Sequence, residues 1–147
     1  MTGAEPAAIA KSWLGTPYRH QASAKGRGTD CLGLLRGVWR EAVGPEPVSL
    51  PPYTPRWHEG EGEPLLDAAR RFLLPATGEE PQAGDVLIFR MHARAPAKHC
   101  GIYLGQDQFI HAYDRHAVTI TRYAPWWQRR LAGRFVLTGS EKETGHE

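Results

Sequence analysis

The sequence predicts an α+β protein in which N-terminal helices pack on an antiparallel β-sheet. Apolar residues recur at helical spacing in the first half of the chain, whereas in the second half they form short runs separated by glycine-containing turns. Helices first and strands afterwards is an order typical of α+β proteins. The 147 residues are enough for one domain, which we expect to cover residues 1–138, with a flexible tail at 139–147.

Three helices are predicted in the first half of the chain. The first covers Ala7–Leu14 and ends at a Gly-Thr-Pro turn. The second covers Asp30–Ala42 and ends at a Gly-Pro pair. The third begins at Pro64, because proline suits the first helical position, and ends before Pro75. The stretches between the helices are polar or rich in proline and glycine, and we interpret 18–29 and 45–63 as loops.

Five strands are predicted in the second half. They are Val86–Phe89, His99–Leu104, Gln108–Tyr113, Val118–Ile120 and Arg134–Leu137. The second and third are joined by a short turn around Gln106, so that they form a hairpin. If the turn has an odd number of residues centred on Gln106, residues of the two strands whose numbers sum to 212 face each other. A turn with an even number of residues would instead place His111 on the opposite face of the sheet.

Composition excludes several functions. The net charge of +2 does not support a nucleic-acid footprint, and the longest apolar runs are too short to cross a bilayer. Neither cysteine belongs to a closely spaced pair of the zinc type, and His99 next to Cys100 is a strained pair of ligands, so we predict no metal site. The N-terminus has no basic or apolar stretch, so no secretory signal is predicted and we expect synthesis in the cytoplasm.

Cys31 lies in the first turn of the second predicted helix. Free backbone N–H groups and the positive end of the helix dipole favour a thiolate at such a position, and the thiolate is the nucleophilic form of cysteine. A small buried core residue explains the same position equally well. Counting alone also leaves a Cys31–Cys100 disulfide open. The nucleophile hypothesis therefore needs a base from elsewhere in the chain.

Two of the seven histidines lie in predicted strands, namely His99 and His111. In the register that sums to 212, Gly101 faces His111, and His99 is the diagonal neighbour of His111 on the same face. Diagonal neighbours lie roughly 7–8 Å apart at the backbone, within reach of two imidazoles. A base held by a third polar group is the logic of a catalytic triad, with His99 as the base and His111 as its orienting partner. Cys100 alternates to the opposite face and is expected in the core.

Five motifs, in order, resemble the NlpC family of cell-wall cysteine endopeptidases, which have a papain-like core. They span nearly the whole chain, from about Ala10 to Val136. The motifs are Trp13-Leu14-Gly15-Thr16-Pro17-Tyr18, Asp30-Cys31-Leu32-Gly33-Leu34, Gly84-Asp85-Val86-Leu87-Ile88-Phe89, His99-Cys100-Gly101-Ile102-Tyr103-Leu104-Gly105 and Phe109-Ile110-His111-Ala112.

The resemblance implies a set of roles. Cys31 is the nucleophile, His99 the base and His111 the third member of the triad. Tyr18 lies beside the thiol, where its hydroxyl can help hold the oxyanion, and Asp30 shapes the helix start. The implied reaction is hydrolysis of peptidoglycan stem peptides, commonly between D-glutamate and a diamino acid, without metal or organic cofactor.

The segment 50–74 and the Trp-Trp-Gln-Arg-Arg sequence at 126–130 look most like the peptidases of phage tails and gene transfer agents. This resemblance implies delivery to the wall in a phage-like particle, with tail proteins as partners and without a membrane. Two other functions stay open. An amidase or acyltransferase can use the same nucleophile with another acceptor, and a tail structural protein can keep the fold without activity.

Overall fold

The computed structural model describes residues 3–47 and 62–137. In them the three predicted helices precede the strands of the main sheet, whereas a small hairpin before the second helix and a fourth helix before the last strand were not predicted. The helices are α1 (Ala4–Lys11), α2 (Cys31–Ala42), α3 (Pro64–Phe72) and α4 (Pro125–Gln128). The strands are β1 (Ser23–Ala24), β2 (Gly28–Thr29), β3 (Leu73–Pro75), β4 (Val86–Phe89), β5 (His99–Gly105), β6 (Gln108–His111), β7 (Thr119–Arg122) and β8 (Leu131–Leu137). The predicted tail at 139–147 and most of the predicted loop at 45–63 lie outside the described residues.

A six-stranded antiparallel sheet forms the second half of the described chain, in the order β3-β8-β4-β5-β6-β7. Because strand side chains alternate, the sheet buries two different faces. The helices cover one of them with a core that includes Trp13, Leu34, Val38, Leu65, Ile88, Cys100 and Ile110. The other face carries a cluster of Leu87, Phe89, Tyr103, Phe109, Tyr123 and Trp127. Within the described ranges, no helix has the length and apolar character that a membrane span requires.

Two glycines let neighbouring segments approach α2 closely. A Cβ atom added to Gly37 would lie 2.0 Å from the Trp13 ring, and one added to Gly33 would lie 1.9 Å from the carbonyl oxygen of Ala22. Both distances are far shorter than any real contact. Because Gly37 has no side chain, Trp13 packs directly on α2, and because Gly33 has none, the loop that contains Ala22 does the same. Together these contacts determine where the first turn of α2 lies.

The structure corrects several predicted boundaries. The first helix is Ala4–Lys11 rather than Ala7–Leu14, because the first turn of a helix tolerates Pro6. The predicted loop at 18–29 contains the small hairpin of β1 and β2. The chain after α3 forms the short strand β3 on β8, ending at Pro75, a residue that sheets accept at their edges.

The register of the β5–β6 hairpin is the predicted one, although its turn is not. Ile102 pairs with Ile110 and Tyr103 with Phe109, so that facing numbers sum to 212. The turn itself has two residues, Gln106 and Asp107, both with positive φ as a type I′ turn requires. A bulge between Tyr103 and Gly105 adds one residue and restores the predicted face of His111.

Candidate active site

Cys31 begins α2, where the side chain of Asp30 caps the helix. One Asp30 carboxylate oxygen accepts a 2.7 Å hydrogen bond from the Gly33 N–H, and the other accepts one of 2.7 Å from the Gln21 N–H. The buried carboxylate thus joins the loop before the helix to the helix itself. Cys31 is half-buried, and its N–H lies among those of the first turn, which have no partner within the helix.

His99 is the first residue of β5 and approaches Cys31 from the sheet. It pairs with Phe89 across β4, which puts its ring on the aromatic face of the sheet. The Cys31 thiol lies 3.7 Å from the carbonyl oxygen of Lys98, the residue before His99, and the His99 ring acts on it from there, because His99 lowers the pKa of Cys31. The His99 Nε2 atom lies 2.7 Å from the His111 Nδ1 atom. Because His111 occupies Nε2, the Nδ1 atom of His99 is the nitrogen that remains for Cys31.

His111 is almost fully buried at the end of β6 and is bonded on both sides. Its Nδ1 meets His99, and its Nε2 lies 2.9 Å from the Thr121 hydroxyl oxygen on β7. The rings that surround it are Phe109, Tyr113 and Trp127, with centroids 4.5, 5.7 and 5.2 Å away. Burial, followed by the charges of His99 and His116, lowers the pKa of His111 to about 3. His111 is therefore neutral near pH 7 and carries a single ring proton.

The two thiols of the chain have opposite acidities. The Cys100 Sγ atom lies 3.3 Å from the carbonyl oxygen of Cys31. The Cys100 thiol, followed by the His99 ring, lowers the pKa of Cys31 well below its usual value, and the two effects outweigh burial and the charge of Asp30. The Cys31 side chain and burial in turn raise the pKa of Cys100. Both cysteines are free thiols, so the structure contains no Cys31–Cys100 disulfide.

A cavity of about 400 Å³ opens beside Cys31 and His99. Tyr18 lines it as a half-buried residue, and burial together with the charges of Cys31, Asp30 and Asp114 raises the pKa of the Tyr18 hydroxyl to about 12. The hydroxyl therefore stays protonated and can donate a hydrogen bond. The wall also contains His20, Leu32, Met91, His92, Lys98, Ala112, Tyr113, Asp114, Trp126 and Arg130.

All five predicted site residues meet at this place in the fold: Cys31, His99, Tyr18 and Asp30 line the cavity, and His111 lies behind His99. Sequence reasoning missed Thr121, although it alternates with Thr119 along the strand and so shares its face. It also missed Arg130 on the cavity wall, which only the packing of α4 reveals. Within the two described ranges, no group of three or more potential metal ligands is present.

A cysteine at a helix N-terminus that faces a histidine on an antiparallel sheet, in this order along the chain, defines a papain-like architecture. The sequence pattern of the NlpC/P60 family matches residues 15–136, and the chain belongs to this family.

Three comparisons describe its relatives. The chain is 32% identical over 130 residues to the murein DD-endopeptidase MepS/murein LD-carboxypeptidase of Escherichia coli K12, covering 87% of this chain and 60% of that protein. It is 29% identical over 125 residues to the gamma-DL-glutamyl hydrolase of Bacillus subtilis 168, covering 84% and 27%. The NlpC/p60 domain of the peptidoglycan hydrolase SagA superposes with a TM-score of 0.62 at 23% identity, covering 93% of this chain and all of that domain. The chain thus spans 60% or less of these two curated relatives.

Proposed function

We propose that the protein is a cysteine endopeptidase that hydrolyses peptidoglycan stem peptides, with Cys31 as nucleophile, His99 as base and His111 as the residue that orients His99. One arrangement carries the proposal: Cys31 and His99 line the same open cavity, and the His99 Nε2 atom lies 2.7 Å from another buried histidine. The pKa of the Cys31 thiol is lowered, in part by His99. A packing role for Cys31 would require neither the lowered pKa nor the cavity.

The reaction follows from these groups. The Cys31 thiolate attacks the carbonyl carbon of the scissile amide, and the displaced electron pair forms an oxyanion. The N–H groups at the start of α2 and the Tyr18 hydroxyl supply donors near it. The C–N bond then breaks as protonated His99 gives its proton to the leaving amine, which leaves a thioester.

Water completes the cycle. His99 takes a proton from the attacking water, a new C–O bond forms at the thioester carbonyl, and the C–S bond breaks to release the acid and the Cys31 thiolate. His99 is again the protonated partner of the thiolate. The His99 Nε2 atom lies 2.7 Å from His111 Nδ1, and we assign the proton of this hydrogen bond to His99, so that its ring keeps its orientation while it gains and loses protons at Nδ1.

The proposed scissile bond joins D-glutamate to the diamino acid of the stem peptide. The two curated relatives carry names for different bonds, a DD-endopeptidase and a gamma-DL-glutamyl hydrolase. The word murein in the first name supports a stem peptide as the substrate, and the second name supports a bond formed by glutamate. The resemblance of residues 126–130 to phage-tail peptidases supports a further proposal, delivery of the protein to the wall in a phage-like particle. Detection of the protein in purified particles by mass spectrometry tests it.

The test of activity uses purified peptidoglycan of known stem-peptide composition. We expect wild-type protein to release fragments whose masses identify the scissile bond, and Cys31→Ala to release none while folding normally. An acyltransferase would instead transfer the acyl group to an added amine, whereas an amidase would hydrolyse a different amide bond, which the fragment masses reveal. A structural tail protein would leave the wall intact, and equal cleavage by Cys31→Ala would refute the nucleophile.

A further inference from the structure

Thr121 is joined to the catalytic histidines through a short chain of hydrogen bonds. The His111 Nε2 atom lies 2.9 Å from the Thr121 hydroxyl oxygen, and His111 Nδ1 lies 2.7 Å from His99 Nε2. In the β6–β7 register, His111 faces Thr119 and Phe109 faces Thr121, so Thr121 is the diagonal neighbour of His111 on one face. Nothing in the proposed reaction uses its hydroxyl directly.

A neutral imidazole has one N–H, so His111 can be bonded in two ways. When the proton of His111 is on Nε2, the Nε2–H donates to the Thr121 oxygen, and Nδ1 accepts a hydrogen bond from His99. When the proton is on Nδ1, the Nδ1–H donates to His99 Nε2, which must then be unprotonated. The proposed reaction needs protonated His99, whose Nε2 carries a proton and requires an acceptor. Only the first arrangement allows this state.

We propose that Thr121 is a positioning residue that keeps the ring proton of His111 on Nε2, so that His111 Nδ1 accepts the hydrogen bond of protonated His99. A buried donor without a partner is disfavoured, and the Thr121 oxygen is able to accept from the buried Nε2–H at a distance of 2.9 Å. Without it, the proton moves to Nδ1, where His99 can still accept it, and the protonated form of His99 loses its support. The proposal rests on the proposed function for its catalytic consequence.

Thr121 is separate from the substrate cavity. It lines a second groove of about 510 Å³, which shares only Tyr113 with the cavity beside Cys31. The groove also contains His116, so the titratable groups around His111 are His99, Tyr113 and His116. A change at Thr121 should therefore affect the chemical step rather than substrate binding.

The experiment compares Thr121→Val, which has the same shape without the hydroxyl, with Thr121→Ser, which keeps it. Thr119→Val is the matched control, because Thr119 lies on the same strand and face but is exposed. We expect Thr121→Val to lower kcat on the order of tenfold with little change in KM. We also expect it to raise the pH midpoint at which Cys31 is alkylated by iodoacetamide. Thr121→Ser and Thr119→Val should resemble wild type in both measurements.

An unchanged kcat and midpoint in Thr121→Val would overturn the proposal. Equal impairment of Thr121→Ser would also overturn it, because the shape of the side chain rather than its hydroxyl would then matter. If Thr121→Val does not fold, Thr121→Ala replaces it in the same comparison with Thr121→Ser. The alkylation midpoint needs no substrate, so it tests Thr121 even if wild-type protein cleaves no peptidoglycan and the proposed function fails.

Discussion

The Sγ atom of Cys100 lies 3.3 Å from the carbonyl oxygen of Cys31, so Cys100 contacts the first residue of α2 where this helix packs on β5. Cys100 is buried in the core between the helices and the sheet, and it remains protonated because its pKa is raised. The pKa of Cys31 is lowered instead, first by Cys100 and then by His99, and Cys31 faces the cavity. A residue predicted only to fill the core therefore also donates a hydrogen bond to the backbone carbonyl of the residue proposed as nucleophile.

The first prediction separates these two roles of Cys100. Cys100→Ala should raise the pKa of Cys31, because the donor is lost, whereas Cys100→Ser should raise it less, because a hydroxyl can still donate. We expect Cys100→Ala to lose about 1 kcal/mol of stability, typical of a point substitution. The pH dependence of Cys31 alkylation and the melting temperature measure the two effects. An unchanged alkylation midpoint in Cys100→Ala would show that the thiol only fills space.

The second prediction concerns the hydrogen bond between His99 and His111. His111→Ala should reduce peptide hydrolysis strongly, because the protonated His99 ring loses its acceptor and its orientation. His111→Asn and His111→Gln should retain more activity, since an amide oxygen can accept from Nε2. His99→Ala should be as inactive as Cys31→Ala, because members of one catalytic unit do not act additively. Hydrolysis that is equally weak in all three His111 variants would contradict the orienting role.

The elements that could be predicted are those in which one residue pattern decides the structure. The alternation of side chains along β5 predicted that Cys100 and His99 lie on opposite faces of the sheet. The register in which facing residue numbers sum to 212 predicted the face of His111 correctly, although the turn has two residues and is preceded by a bulge instead of having an odd number of residues. Alternation could not show that the first turn of α2 packs against Cys100, because this depends on the contact of Gly37 with Trp13 and on the approach of the loop to Gly33.

Short elements escaped prediction for a different reason. The strands β1 and β2 have two residues each, too few for an alternating pattern. The predicted strand at 118–120 ended one residue before Thr121, whereas β7 covers Thr119–Arg122. Thr121 was therefore not recognised as a strand residue that could contact His111. The ends of strands depend on tertiary contacts, which the sequence pattern does not contain.

The third prediction is the effect of His111 on acid stability. The pKa of His111 is about 3 in the folded protein and about 6.5 in an unfolded chain, so the unfolded state binds more protons between these values. Stability should therefore fall as the pH drops below about 6.5, by up to about 1.4 kcal/mol per pH unit. Urea unfolding at pH 7 and pH 5 should show a smaller difference for His111→Gln than for wild type. Substitution of the exposed His92 by Gln is the control, and an equal pH dependence in His111→Gln and wild type would contradict the buried, neutral ring.

The last prediction concerns recognition by Arg130 at the cavity wall. Its guanidinium lies 3.6 Å from the centroid of the Trp126 ring, and its NH1 donates a 2.7 Å hydrogen bond to the Trp126 carbonyl oxygen. This arrangement holds the cation in place, and it forms no ion pair with any residue in 3–47 or 62–137. Its remaining N–H groups suit a substrate carboxylate, which guanidinium binds in a bidentate manner.

We expect Arg130→Gln to raise KM for a stem peptide with free carboxylates while changing kcat little, because Arg130 contributes to binding and does not touch the reacting atoms. Arg129→Gln removes the same charge from the adjacent, exposed position outside the cavity and should leave KM unchanged. Steady-state kinetics on the free acid and on the same peptide with amidated carboxyl groups measure the difference. Amidation should raise KM for wild type and leave it nearly unchanged for Arg130→Gln. If amidation raises KM equally for wild type and Arg130→Gln, Arg130 does not bind the substrate carboxylate. The weaker binding of the amidated peptide then arises elsewhere in the cavity.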